Sequence, residues 1–97
     1  MLTGKQKRVL RAEGHHLKPI FQVGKGGVNA NMIQQLNDAL EARELIKVSV
    51  LQNSEEDKHT VAEQIVAGTG ADLVQIIGNV IVLYKESRDK KRIELPE

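Results

Sequence analysis

Apolar residues recur along this chain first at helical spacing, then in alternation, and the two patterns trade places until residue 84. Thr3 with Gln6 three residues later is a capping-box pattern and predicts a helix over 3–13, ending near Gly14. Its apolar residues are few (Leu2, Val9, Leu10 and Ala12), so it packs by one narrow stripe. Proline cannot donate to a ladder, so Pro19 predicts the first residue of a short strand over 19–23. Ile33, Leu36 and Leu40 stand at helical spacing behind Asn29, a good N-cap, and predict a second helix over 29–42. Ile46, Val48 and Val50 alternate with Lys47 and Ser49, the pattern of a half-buried strand over 45–50. Asn53-Ser54-Glu55-Glu56-Asp57 reads as a polar turn that puts acids at the start of a third helix, where the dipole favours them. Val61, Ala62, Ile65 and Val66 form that helix's stripe, and Gly68 and Gly70 are expected to stop it. Two more strands, 73–77 and 80–84, flank Gly78-Asn79, a two-residue hairpin turn of the primed type.

The order is α-β-α-β-α-β-β. Strand–helix–strand units imply right-handed crossovers and some parallel pairing, and the closing hairpin adds an antiparallel pair. The expected fold is α/β in the broad sense (α+β), a four-stranded mixed sheet with helices packed on it, in one domain over 1–97. Residues 85–97 are charged. Ile93 and Leu95 alternate there, but Pro96 follows, and the tail is expected to fray.

Phe21 and Tyr84 are the only aromatics, so the core must be aliphatic, and Tyr84, at the end of an apolar strand, is expected to pack in it. Proteins that stack single-stranded bases need several exposed aromatics, which this chain cannot supply. With no cysteine there is neither a disulfide framework nor a thiolate metal site. The first residues are rich in Lys and Arg with no apolar core of a signal peptide, and no run approaches the ~18 apolar residues of a membrane span. We therefore expect a soluble cytoplasmic monomer with no membrane partner. The net charge of +1 hides an asymmetry. Residues 1–30 carry Lys5, Lys7, Arg8, Arg11, Lys18 and Lys25 against Glu13 alone, a net +5, whereas residues 31–84 carry a net −5. A cationic end on an acidic body is the footprint of a face that binds a polyanion.

The stretch Val23-Gly24-Lys25-Gly26-Gly27-Val28-Asn29 joins the first strand to the second helix. Its glycines let backbone approach a ligand closely, and the helix behind it opens with orphan N–H groups at a positive dipole end, a natural anion site. Two enzyme motifs fail on spacing. Aligned on Gly24-Lys25, a P-loop would need glycine at Pro19 and Ser or Thr at Gly26. A dinucleotide fingerprint would need glycine at Asn29 and an acid about 20 residues on, where Glu44 leads straight into a strand. What remains is G-x-x-G, Gly24 to Gly27, the form with which RNA-binding modules of the KH type clamp a nucleic-acid backbone.

Other candidates have sufficient structural explanations. His15 and His16 are adjacent and His59 is distant, a poor spacing for zinc. Glu55-Glu56-Asp57 suits a helix start as well as a two-carboxylate acid/base site. Lys90-Lys91-Arg92 is diluted by Glu86, Asp89, Glu94 and Glu97. We expect no catalysis, no metal, no cofactor and no small-molecule substrate.

Several segments together resemble the bacterial YhbY proteins and the CRM domain (chloroplast RNA splicing and ribosome maturation). They are Leu17-Lys18-Pro19, Gly24-Lys25-Gly26-Gly27, Glu44-Leu45-Ile46-Lys47-Val48, Gly70-Ala71, Val74-Gln75-Ile76-Ile77-Gly78, Val82-Leu83-Tyr84 and Ile93-Glu94-Leu95-Pro96. The resemblance implies a fold similar to the C-terminal domain of translation initiation factor 3. It also implies RNA binding through the G-x-x-G loop and its basic surroundings, and association with ribosomal RNA in precursors of the large subunit; in plants the domain serves group II intron splicing. The expected RNA-binding residues are Gly24, Lys25, Gly26, Gly27 and Asn29 with Lys5, Lys7, Arg8, Arg11 and Lys18. Gly26 leaves Lys25 as the loop's only charge. The rival expectation is a protein-interaction module that docks by its acidic middle, residues 38–72, with the loop a mere turn.

Overall fold

A computed structural model describes residues 2–97. Its elements are α1 (Gly4–Gly14), β1 (Phe21–Val23), α2 (Ala30–Arg43), β2 (Leu45–Val50), α3 (Lys58–Thr69), β3 (Asp72–Ile77) and β4 (Val80–Tyr84). The strands form one sheet in the order β1-β2-β4-β3. β1 runs parallel to β2, as a β1–α2–β2 crossover requires, and β4 is antiparallel to both β2 and β3. The hairpin strand β4 thus lies between β2 and β3, which run the same way without touching.

Alternation along the strands makes a three-layer domain. Ile46, Val48 and Val50 of β2 and Ile81 and Leu83 of β4 join Leu36 and Leu40 of α2 and Val61, Ala62 and Ile65 of α3 in one buried cluster. Each fully buried Leu contributes about 2 kcal/mol by burial. The residues between them on the strands, Leu45, Val82 and Tyr84, point to the opposite face and pack with Leu10 of α1. Tyr84 is a core residue, as its strand position led us to expect.

The capping box at α1 is complete: Thr3 accepts from the Gln6 backbone, and the Gln6 side chain accepts from the Thr3 backbone. Asn29 caps α2 and Asp57 caps α3, each through a 2.8 Å bond from a backbone N–H to its side chain. Glu55 and Glu56 precede the third helix instead of lying in its first turn. Gly78 has φ +57° and Asn79 a negative φ, the pattern of a primed turn with glycine first.

Four expectations change. β1 is three residues long, and Pro19 and Ile20 stand outside it, although the Ile20 N–H still donates to the Lys47 carbonyl. Only Gly70, at φ +75°, ends α3. Gly68 lies inside α3, because a Cβ there would come within 2.6 Å of Ile33 Cδ1; the glycine lets α2 and α3 pack closely. β3 starts at Asp72 and carries an irregularity between Leu73 and Gln75 that turns Val74 toward the α1 side.

The tail, expected to fray, lies against the body. Glu41 and Glu44, in and just after the last turn of α2, reach across to it. Glu44 accepts from the N–H groups of Ser87 (2.8 Å), Ile93 (2.8 Å) and Arg92. Glu41 accepts from the Ser87 hydroxyl (2.6 Å) and the N–H groups of Arg88 (3.0 Å) and Asp89 (3.2 Å). Ile93 and Leu95 then pack beside Leu2 and Leu10 on the α1 face, and the Gln6 amide donates to the Pro96 carbonyl at 2.8 Å.

Candidate functional site

The Gly24–Gly27 segment is a tight turn at the end of the edge strand β1. The Gly27 N–H donates to the Gly24 carbonyl at 3.0 Å, and Gly27 sits at φ +66°, a conformation that costs an L side chain about 1–2 kcal/mol. Gly26 is different: its φ is not positive and no atom lies within 4 Å of where a Cβ would stand, so its bareness serves neither backbone conformation nor internal packing. At Gly24 a Cβ would approach Asn53 Oδ1 to 3.2 Å, which the exposed Asn53 side chain can relieve by shifting.

Behind the turn, Asn29 meets one orphan donor of α2 by accepting from Met32 N–H, and its carbonyl accepts from Ile33 N–H. The N–H groups of Ala30 and Asn31, both exposed, precede the first helical bond and face solvent. Lys25 and Gly26 are exposed at the tip. Charge, donors and dipole therefore point outward together at this corner.

The ten expected residues fall in three places. Gly24, Lys25, Gly26, Gly27 and Asn29 form the corner. Lys5, Lys7, Arg8 and Arg11 lie on α1, in the opposite layer of the sheet from α2, within an arc of about 160° at 100° per residue. Lys5, Arg8 and Arg11 are exposed and Lys7 is half-buried. Lys18 lies before β1, at the other end of that strand from the turn. Among the described residues the one ion pair joins Lys91 to Glu86 at 3.3 Å, so no carboxylate neutralises any of these cations.

The acidic middle is not one free patch. Three backbone and hydroxyl donors from the tail hold Glu41 well below the usual carboxylate range, at about 2, with Arg88 N–H the strongest, then the Ser87 hydroxyl. Burial pushes the Glu44 carboxyl up, but the N–H groups of Ser87, Arg92 and Ile93 together outweigh it and the net direction is down. The Thr60 N–H lowers Asp57. Among the described residues no group of three or more His, Cys, Asp or Glu is placed to hold a metal ion, and no helix is long and apolar enough to cross a membrane.

Glu44 is the residue that sequence reasoning missed. It is fully buried, it has φ +65°, and it is the only non-glycine with positive φ among the described residues. A signal existed. The helix ending at Arg43 passes into a strand at Leu45 with no glycine between, so the one linking residue must take a conformation that glycine usually supplies.

Three helices on a four-stranded mixed sheet, with a bare glycine turn at the head of the second helix, define a small α+β domain. The chain belongs to the CRS1 / YhbY (CRM) domain family, whose model matches residues 2–85. The tail held by Glu41 and Glu44 lies beyond that match. The chain is 73% identical to the Bacillus subtilis (strain 168) protein named "Probable RNA-binding protein YqeI", over 99% of this chain and 100% of that one. It is 39% identical to a Haemophilus influenzae protein named "RNA-binding protein", over 98% of this chain and 95% of that one. The solution structure of the Staphylococcus aureus protein SAV1595 superposes with a TM-score of 0.82 at 59% identity, covering 99% of this chain and 100% of that one.

Proposed function

We propose that this chain binds ribosomal RNA in precursors of the large subunit and serves their assembly, without catalysis. The observation that carries the reading is the corner at Gly24–Asn29. A turn bare of side chains at Gly26, a free Lys25 and the solvent-facing N–H groups of Ala30 and Asn31 suit a phosphate and little else. The relatives named for RNA binding support the choice of RNA among polyanions. The unpaired cations of α1 extend the attraction through counterion release. The particle with which the tagged chain sediments tests it. We expect co-migration with large-subunit precursors at low salt and release at high salt; migration with free protein at both would reject the reading.

A further inference from the structure

Lys18, Arg43 and Arg92 are scattered in sequence but line two adjoining cavities, at the end of β1 and β2 away from the glycine turn. A cavity of about 300 Å³ is lined by Glu13, Leu17, Arg43 and Arg92, among others. A second of about 160 Å³ is lined by Leu17, Lys18, Ile20 and Arg43. They share Leu17 and Arg43 and so form one cleft, with three cations and one acid on its walls. Glu13 neutralises none of the cations, since no ion pair within 4.0 Å involves it. Leu17 and Ile20 are the exposed apolar residues of this cleft, at 38% and 39% exposure.

Arg92 does not reach this place by chance of a loose tail. Its own N–H and that of Ile93 are bound by Glu44, the residue next to Arg43, so the fold holds two guanidinium-bearing residues at one cleft, and neither guanidinium is ion-paired to a carboxylate within 4.0 Å. Unneutralised like charges repel, and a bound anion relieves that repulsion. Guanidinium groups suit phosphate through paired N–H donors, and apolar walls suit the face of a sugar.

We propose that this cleft is a second seat for the RNA backbone, with Arg43 and Arg92 on phosphate, Lys18 assisting, and Leu17 and Ile20 against a ribose. The inference rests on the RNA-binding reading above and adds a point of contact to it. Lys18 and Gly24 are six residues apart, so the two seats lie within about 22 Å along the chain. One folded RNA touches both, and the tail is part of the binding surface.

The test uses the full chain and a structured large-subunit rRNA fragment, with affinity measured across a salt series. Arg43→Ala with Arg92→Ala removes two exposed side chains, so the thermal midpoint should stay within the error of the unsubstituted protein's. We expect the slope of log K against log salt to become shallower by about 1.4–1.8, and Lys18→Ala to flatten it further. Gly26→Val is the control at the other seat. Lost affinity in Gly26→Val with an unchanged slope in the double Arg variant would overturn the second seat and leave the glycine corner standing. No measurable binding of the rRNA fragment by the unsubstituted protein, even at low salt, would overturn the underlying RNA-binding reading instead.

Discussion

At the head of α2 two backbone N–H groups, those of Ala30 and Asn31, face solvent beside a bare glycine turn. At the other end of the same helix Glu41 and Glu44 gather backbone N–H groups and the Ser87 hydroxyl from residues 43 to 49 positions away in sequence. The helix dipole explains both. Its positive end is left open where an anion can come, and its negative end, which disfavours two carboxylates, holds them only because the tail supplies donors. An unmet donor that stays exposed costs little, because water serves it; an unmet acceptor at a buried residue is expensive. The first end is thus free to bind and the second is built to stay shut. The contrast also bears on the rival reading. Of the acids in residues 38–72, Glu41, Glu44 and Asp57 already hold backbone donors, while the cations of α1 and the turn hold nothing.

Breaking the closed end should have the largest effect. Glu44→Ala removes acceptors from three tail N–H groups and keeps an L residue at φ +65°, so we expect a loss on the order of 3 kcal/mol in urea unfolding. Glu44→Gly relieves the backbone, and should recover about 1–2 kcal/mol of that loss. Equal stability of both variants with the parent would show that the clamp holds nothing.

Acid should separate the two ends. Glu41 titrates at about 2 in the folded chain against an ordinary 4.5. A carboxyl lowered on folding stabilises the fold fully above its unfolded value and loses that contribution as pH falls through the folded one. Glu44 is shifted in the same direction. Tail docking should therefore weaken as pH drops from 4.5 toward about 2, visible in the amide NMR shifts of Ser87, Arg88 and Asp89. The Gly24–Gly27 turn holds no carboxylate, and its amides should move less over that window.

At the open end, the triple variant Lys7→Ala, Arg8→Ala, Arg11→Ala should flatten the slope of log K against log salt by around two units. An unchanged slope would place α1 away from RNA. The smallest expected effect concerns sequence. Backbone N–H groups and Lys25 see phosphate, and Tyr84, the one aromatic of the last strand, is buried. Scrambling a bound stem while keeping its pairing should cost less than about 1 kcal/mol, below the ~1–3 kcal/mol typical of one lost base contact. Hundredfold discrimination in a competition assay would instead point to Lys18 and the exposed Gln22 as readers.

The elements and the glycine corner were legible because their causes are local. Thr3 with Gln6, Asn29, Gly78-Asn79 and the alternation of Ile46, Val48 and Val50 each act within a few residues. Gly68 was misread for the same reason: a glycine inside a helix looks like a stop until Ile33 of the neighbouring helix is seen against it. The tail was misread because its anchors are backbone N–H groups, which every residue carries and no pattern displays. The acceptors sit on α2, so neither half of the interaction marks its own segment. The arginine cleft depends on that docking, and was hidden with it.

The most direct test of the account compares two neighbouring glycines of the turn. Gly27→Ala forces an L residue to φ +66° and should lower stability by about 1–2 kcal/mol. Gly26→Val meets no protein atom within 4 Å of its Cβ and should leave the thermal midpoint nearly unchanged. Its branched side chain stands where an RNA phosphate would approach, so affinity for a structured large-subunit rRNA fragment should fall at least tenfold, the equivalent of about 1.4 kcal/mol. Full affinity in a fully folded Gly26→Val chain would contradict the claim that this turn holds the RNA backbone.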